Sequence, residues 1–245
     1  MSKKIHNQKE EKLIKSKARV NEFGEVNTPR HIVSDMLDLV KDESYKLEST
    51  FLEPACGDGN FLVQILERKA ETAVNIYNID KDESNFNRNM FIGVSTIYGI
   101  DILADNVASA KSRMMAIIEN TYTSNNLEIS DDMAKTFKKL LDVNIIWGDS
   151  LEDIDKGANR LILFAEWNLH DNIVHRKDYS LRAMSTEHSK TTPHIDDYEK
   201  VEFTKVHTIK EKGKEYEKKR SNKVMNDQGL DQMQLDMLAQ LRSRR

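Results

Sequence analysis

At 245 residues, 38% hydrophobic and 32% charged, the chain carries apolar material for one α/β core of ordinary domain size, made by about the first 170 residues. A single cysteine, Cys56, excludes an internal disulfide and a cysteine-rich zinc site, the seven histidines show no ligand spacing, and no apolar run approaches membrane-spanning length, so no metal and no membrane are expected. The formal charge of −4 hides an asymmetry: residues 1–19 carry net +5, residues 209–223 net +4 and residues 20–169 net −12, so any contact with a phosphate backbone would have to use the basic arms or a basic partner.

The charged N-terminus lacks a signal-peptide core, and a cytoplasmic protein is expected. Gly24-Glu-Val-Asn-Thr28-Pro29 precedes a helix whose start is well marked. Thr28 can cap, Pro29 suits the first helical position, and Ile32, Val33, Met36, Leu37 and Val40 share one face.

Residues 51–60, Phe-Leu-Glu-Pro-Ala-Cys-Gly-Asp-Gly-Asn, form an apolar strand that enters a tight acidic turn and then an amphipathic helix near Phe61. Gly57 and Gly59 can take positive φ and let backbone approach a bound group. Glu53 sets a carboxylate where an amine or hydroxyl could be held. A dinucleotide turn would place three glycines here for a pyrophosphate. This one has two, with Glu53 and Asp58 to repel phosphate, so a cationic or zwitterionic ligand is expected.

Asn75 to Asn89 reads as a surface insertion, as does Thr123 to Asp132. Between them, Thr96-Ile-Tyr-Gly-Ile-Asp101 is a short β-branched and aromatic strand ending in an acid, followed by a helix from near Asp105. Asn144-Ile-Ile-Trp-Gly-Asp149-Ser150 repeats the pattern of strand, glycine and acid. Strand-like Leu161 to Glu166 then runs into Trp167-Asn168. Trp167 could stack on a flat ring with Glu166 or Asn168 accepting from an amine; alternatively it packs on a hairpin formed with Asn172 to Leu181.

From Ser185 onward aromatic residues are few and the chain is rich in Lys, Glu, Thr and His, so 185 to about 226 is expected to be mobile or partner-dependent. Leu230, Met233, Met237, Leu238 and Leu241 then repeat at helical spacing, giving a short amphipathic helix that docks on its own core or on a partner subunit. The expected organisation is a basic arm over 1–19, a ligand-binding domain over 20–184 and a polar, partly disordered extension over 185–245.

The Glu53-Pro-Ala-Cys-Gly-Asp-Gly-Asn-Phe61 segment resembles the first motif of class I S-adenosylmethionine-dependent methyltransferases, in the form typical of DNA adenine-N6 methyltransferases and restriction-modification methylase subunits. The resemblance covers about residues 20–168. It implies an α/β fold with a Rossmann-like methyltransferase sheet and flanking helices, in abbreviated form and followed by the polar C-terminal extension, and S-adenosyl-L-methionine as the cofactor. By the same resemblance, Asp101 matches the acid that accepts from the ribose hydroxyls and Asp149 the acid that bonds the adenine amine. Thr28-Pro29 matches the element packed over the methionine end. Ala55, Cys56, Gly57 and Gly59 of the loop, with Glu53, and Ile102 and Ser150 beside the two acids, complete the implied cofactor set.

At its acceptor site the chain departs from the family. Its three prolines, Pro29, Pro54 and Pro193, are nowhere adjacent, so the Asn/Asp/Ser-Pro-Pro-aromatic motif that holds the flipped base is absent. Glu166, Trp167 and Asn168 are the residues in its place. Two functions follow: a DNA methyltransferase, adenine-N6 and restriction-modification related, with a divergent acceptor site; or a catalytically weak or inactive cofactor-binding subunit acting through a partner. The expected partners are DNA, reached through the basic arms or a partner protein, and a specificity or methylase subunit.

Overall fold

The computed structural model describes residues 16–23, 25–181 and 198–210. Most of the N-terminal basic arm, most of the polar extension and the C-terminal helix expected over Leu230 to Leu241 lie outside the described residues.

Three helices, α1 (Lys17–Phe23), α2 (Arg30–Asp38) and α3 (Lys41–Tyr45), precede the first strand, β1 (Phe51–Glu53). Helices α4 (Asn60–Asp80) and α5 (Glu83–Ser95) return the chain to β2 (Ile97–Asp101), and α6 (Ala104–Ser124) and α7 (Asp131–Asn144) return it to β3 (Ile145–Asp149). Local chemistry sets several of these starts. Asp82 caps α5 by accepting from the Ser84 and Asn85 N–H groups, and Ser130 caps α7 by accepting from Met133 N–H.

The three strands pair in parallel in the order β1-β2-β3, with Phe51 opposite Ile97 and Gly99 opposite Ile145. Parallel neighbours need long crossovers, which the two helix pairs supply. The sheet ends differently: β4 (Ile154–Asp155) and β5 (Arg160–Leu161) add to β3 in antiparallel fashion. The result is a mixed α/β domain. All five β2 residues are buried, as expected for a strand with both edges paired and both faces covered.

The helical face of the sheet holds the main core. Leu62, Phe86, Phe91, Met114, Ile118 and Phe137 are at most 1% exposed. Phe86, Tyr122 and Phe137 stack edge to face in series, at centroid distances of 5.0 and 6.1 Å. On the other face, Tyr98, Ile100 and Ile146 meet Ile162 and Phe164 in a smaller cluster. Near the start of β1, Lys69 is 1% exposed and donates to the Leu47 and Ser49 carbonyls and the Thr96 hydroxyl at 2.8, 2.6 and 2.7 Å.

A second sheet follows, built from the hairpin β6 (Leu163–His170) and β7 (Ile173–Ser180) with the short β8 (Val201–Glu202). A 3-10 turn over Phe203–Thr208 packs it against α7. Its interior includes a paired polar group among apolar residues such as Phe164, Ala165 and Val174. Arg176 bonds Asp178 at 2.7 and 2.9 Å, its guanidinium lies 4.1 Å from the Tyr198 ring centroid, and Tyr198 donates to the same carboxylate at 2.8 Å.

Four local expectations differ from the structure. Residues 198–210, expected within the mobile stretch, pack Tyr198, Phe203, Val206 and Ile209 into the main core. Thr28 does not cap α2; Pro29 occupies the cap position with no side-chain bond, and only Val33 and Leu37 of the expected apolar face are buried. Ile32, Met36 and Val40 are exposed. The stretch Asn75 to Asn89 is no surface insertion but the end of α4 and the start of α5, carrying the buried Phe86.

Candidate functional site

Glu53, Asp101 and Asp149 are the last residues of β1, β2 and β3, three neighbouring parallel strands. The carboxyl ends of such strands are where open α/β sheets bind ligands, because each chain must there turn away and leave a crevice. The loop between β1 and α4 lies at this end. Its residue Cys56 donates its N–H to the Ile100 carbonyl at 2.8 Å, and Gly57 donates to Asp101 Oδ2 at 2.8 Å.

Both loop glycines are left-handed, Gly57 at φ 54° and Gly59 at φ 92°. Gly59 has a second reason to be glycine: a Cβ there would stand 2.8 Å from Ala110 Cβ and 3.0 Å from Ala110 Cα. The close approach at Gly59 is therefore between the loop and α6. Room for Cys56 is made by Gly99, where a Cβ would meet Sγ at 3.1 Å and Leu62 Cδ1 at 2.8 Å. Cys56 is buried, and burial first and then the nearby Asp101 and Glu53 carboxylates push its thiol far up, so it is a packed, unreactive group.

The three acids are held differently. Asp101 is 8% exposed and works as a clasp: beyond Gly57, its Oδ1 accepts from Leu103 N–H at 2.9 Å and Asn106 Nδ2 at 3.1 Å. A carboxylate has about four acceptor sites, so these three donors leave one open. Asp149 Oδ1 accepts from the Leu151 and Glu152 N–H groups at 3.0 and 3.2 Å, while its Oδ2 takes no hydrogen bond among the described residues. Glu53 is half-buried, and burial raises its carboxyl above the ordinary value against the opposing pull of the Ala55 N–H.

Residues not singled out from the sequence fasten the loop. Arg113 of α6 donates to the Asp58 carbonyl at 2.8 Å and to Asn60 Oδ1 at 2.7 Å, and pairs with the Asp58 carboxylate at 3.0 Å. Asn60 Nδ2 in turn donates to the Thr28 carbonyl at 2.9 Å, which ties the Thr28-Pro29 element to the loop through its backbone. Arg19 of α1 pairs with Glu25 and with Asp105, and reaches Asn106 Oδ1 at 3.3 Å. Nothing in local spacing marks Arg19 or Arg113, whose partners stand up to 87 positions away. Ile102 and Ser150 directly follow the acids, and Ile102 is 36% exposed.

Glu166, Trp167 and Asn168 lie elsewhere. Trp167 is 8% exposed and donates Nε1–H to Asn144 Oδ1 at 2.9 Å; Asn144 Nδ2 donates to the Ser95 and Ile97 carbonyls at 3.1 and 3.2 Å. Those carbonyls are at the start of β2. At about 3.3 Å per residue, Asp101 at its other end is roughly 13 Å away. Trp167 is a packing residue on the hairpin, facing Arg176 at 5.2 Å, and offers no open ring for a base. Glu166 is exposed, with its Oε2 accepting from Asn168 Nδ2 at 2.9 Å and Tyr179 OH at 3.2 Å. The expected acceptor trio therefore does not face the acids.

The described residues contain no cluster of metal-ligating groups and no helix long and apolar enough to cross a membrane. What the site can do chemically follows from its donors and acceptors. Carboxylates at three levels, two left-handed glycines and exposed apolar edges suit a ligand with amine, hydroxyl and flat apolar parts, and disfavour a polyphosphate.

Residues 10–151 match the family model described as N-6 DNA Methylase. Over 69 residues, 28% of this chain, the sequence is 43% identical to the protein named Type II methyltransferase M.VspI of Vibrio sp. (strain 343). The match spans 16% of that relative's length. No solved structure matches the chain.

Proposed function

The chain belongs to the N-6 DNA methylase family, and from that premise we propose that it binds S-adenosyl-L-methionine and serves DNA adenine methylation through a Rossmann-like methyltransferase sheet. The observation that carries this reading is the set of three adjacent parallel strands, each ending in an acid beside a loop with two left-handed glycines.

The residues present fit the cofactor. Glu53 would receive the amino acid's ammonium, the free oxygen of Asp149 the adenine amine, and the remaining acceptor site of Asp101 a ribose hydroxyl. The backbone of Ala55, Cys56, Gly57 and Gly59, with Thr28 opposite, would line the methionine arm, and Ile102 and Ser150 the nucleoside. When bound, the cofactor supplies a sulfonium-activated methyl group. The protein's part is alignment: most of the gain in such a transfer comes from holding the nucleophile in line at close contact. Arg113 and Asp101 act here by fixing the loop.

A second reading is favoured by the position of Trp167 at the opposite end of the strands. The base-holding groups would then come from outside the described residues, on a partner polypeptide that also brings DNA, and the chain would be the cofactor-binding subunit. Calorimetry with S-adenosylhomocysteine, followed by incubation with tritiated cofactor and unmethylated DNA, tests both. Binding with label transfer supports the self-sufficient enzyme, binding without transfer supports the partner-dependent subunit, and no binding refutes the cofactor pocket.

A further inference from the structure

The chain has two tryptophans, and they are opposites. Trp167 is buried, whereas Trp147 of β3 is 40% exposed. Exposure of a large ring is ordinary by itself. Trp147, however, is anchored: its Nε1–H donates to the Ile102 carbonyl at 3.0 Å, and its own carbonyl accepts from Lys156 N–H at 2.9 Å. Gly157 of the β4–β5 turn lies alongside its ring, where a Cβ would be in ordinary contact with the ring edge at 3.9 Å.

The register fixes what surrounds it. Trp147 is the direct partner of Asp101 on the neighbouring strand, so the two side chains project from the same face of the sheet. Asp149, two residues further on, projects to that face as well. An indole whose polar edge is already satisfied thus stands beside Asp101 and one same-face position before Asp149, with part of its ring exposed. That combination suits a flat nitrogen heterocycle with an exocyclic amine: the ring for the indole, the amine for the free oxygen of Asp149.

We propose that Trp147 is the stacking wall for the adenine ring of the cofactor. The proposal rests on the cofactor reading above and adds to it the group that grips the nucleobase. Stacking of a base on an aromatic side chain is sequence-tolerant and rigid, and its loss on truncation to alanine weakens binding about fivefold or more.

The test uses S-adenosylhomocysteine as the probe and the full chain as wild type, W147F and W147A. Calorimetry is expected to give an affinity at least about fivefold weaker for W147A, with W147F recovering most of the loss because phenylalanine retains a stacking face. Ligand is expected to quench tryptophan emission in the wild type and to leave the emission of W147F, which has only Trp167, unchanged. Wild-type affinity in W147A, or quenching that persists in W147F, overturns the wall and leaves the cofactor reading standing. No binding by folded wild-type protein overturns both. Should W147A fail to fold, the emission comparison between wild type and W147F decides alone.

Discussion

Replacing Asp101 by asparagine separates a structural clasp from a ligand contact. The carboxylate accepts three protein donors, Gly57 N–H through Oδ2 and Leu103 N–H and Asn106 Nδ2 through Oδ1. Asparagine matches the shape but has one acceptor oxygen. If that oxygen serves Leu103 and Asn106, its NH2 group faces the Gly57 N–H, donor against donor, across a gap of 2.8 Å. A hydrogen bond to a charged group is lost, worth about 1.5–3 kcal/mol, and a nearly buried donor is left unpaired. The net cost is about 3 kcal/mol, a large part of the roughly 5–15 kcal/mol that stabilises an ordinary domain. With a urea slope of about 2 kcal/mol per molar, the unfolding midpoint is expected to fall by about 1.5 M. Urea titration followed by circular dichroism measures it, alongside calorimetry with S-adenosylhomocysteine at a temperature where D101N is folded. A midpoint within about 0.3 M of wild type would refute the clasp, and with lost affinity would mean that Asp101 serves the ligand alone.

Three other outcomes are expected. Gly59→Ala should cost about 2–4 kcal/mol through both its left-handed φ and its collision with Ala110, and the double variant Gly59→Ala/Ala110→Gly should recover only the part of the collision made by Ala110 Cβ, leaving the close approach to Cα and the backbone part, as read from thermal midpoints. Burial outweighs the opposing pull of the Glu48 and Glu43 carboxylates and pushes Lys69 down to about 7, well below the unfolded value of about 10.4. Between those values the unfolded chain binds more protons, so stability should rise by an amount on the order of 2–4 kcal/mol from pH 7 to pH 10. Lys69→Met should abolish that rise in urea titrations, and an identical pH slope in both proteins would contradict the assignment. Arg113→Met removes the contacts to Asp58 and Asn60 and should weaken S-adenosylhomocysteine binding by about 1–2 kcal/mol while lowering stability far less than D101N; unchanged affinity would mean the loop holds its shape without the clamp.

The parts of this site that could be read from the sequence are those written in short segments. Glu53, Asp101 and Asp149 each follow a run of apolar or β-branched residues, and a strand that ends in an acid puts that acid at the sheet's carboxyl edge whatever else the fold does. The positive φ of Gly57 and Gly59 follows from the tightness of the turn. Contacts that join distant positions were not legible. Trp167 owes its place to Asn144, which itself bridges to β2, and no local pattern reveals that this hairpin packs at the far end of the strands. Nor did polarity mark 75–89 correctly: the asparagines and aspartates hide the apolar period of Val74, Tyr77, Phe86 and Met90, which continues the helical core. At α2, the spacing gave the helix, but which of its apolar residues would be covered depended on how it packs against α4 and α3.

β1 lies at the edge of its sheet and is three residues long. Phe51 N–H donates to the Thr96 carbonyl at the entry to β2, so by strand alternation the Leu52 amide and carbonyl point outward, and no described strand meets them. The ligand loop therefore hangs from a one-sided ladder. Such an edge opens at a small fraction of the free energy that protects the fully enclosed β2, and the amide proton of Leu52 is expected to trade with deuterium long before those of Tyr98 and Ile100. Whatever occupies the crevice must first still this strand, so the affinity it shows is its contact energy less the freedom that the strand gives up.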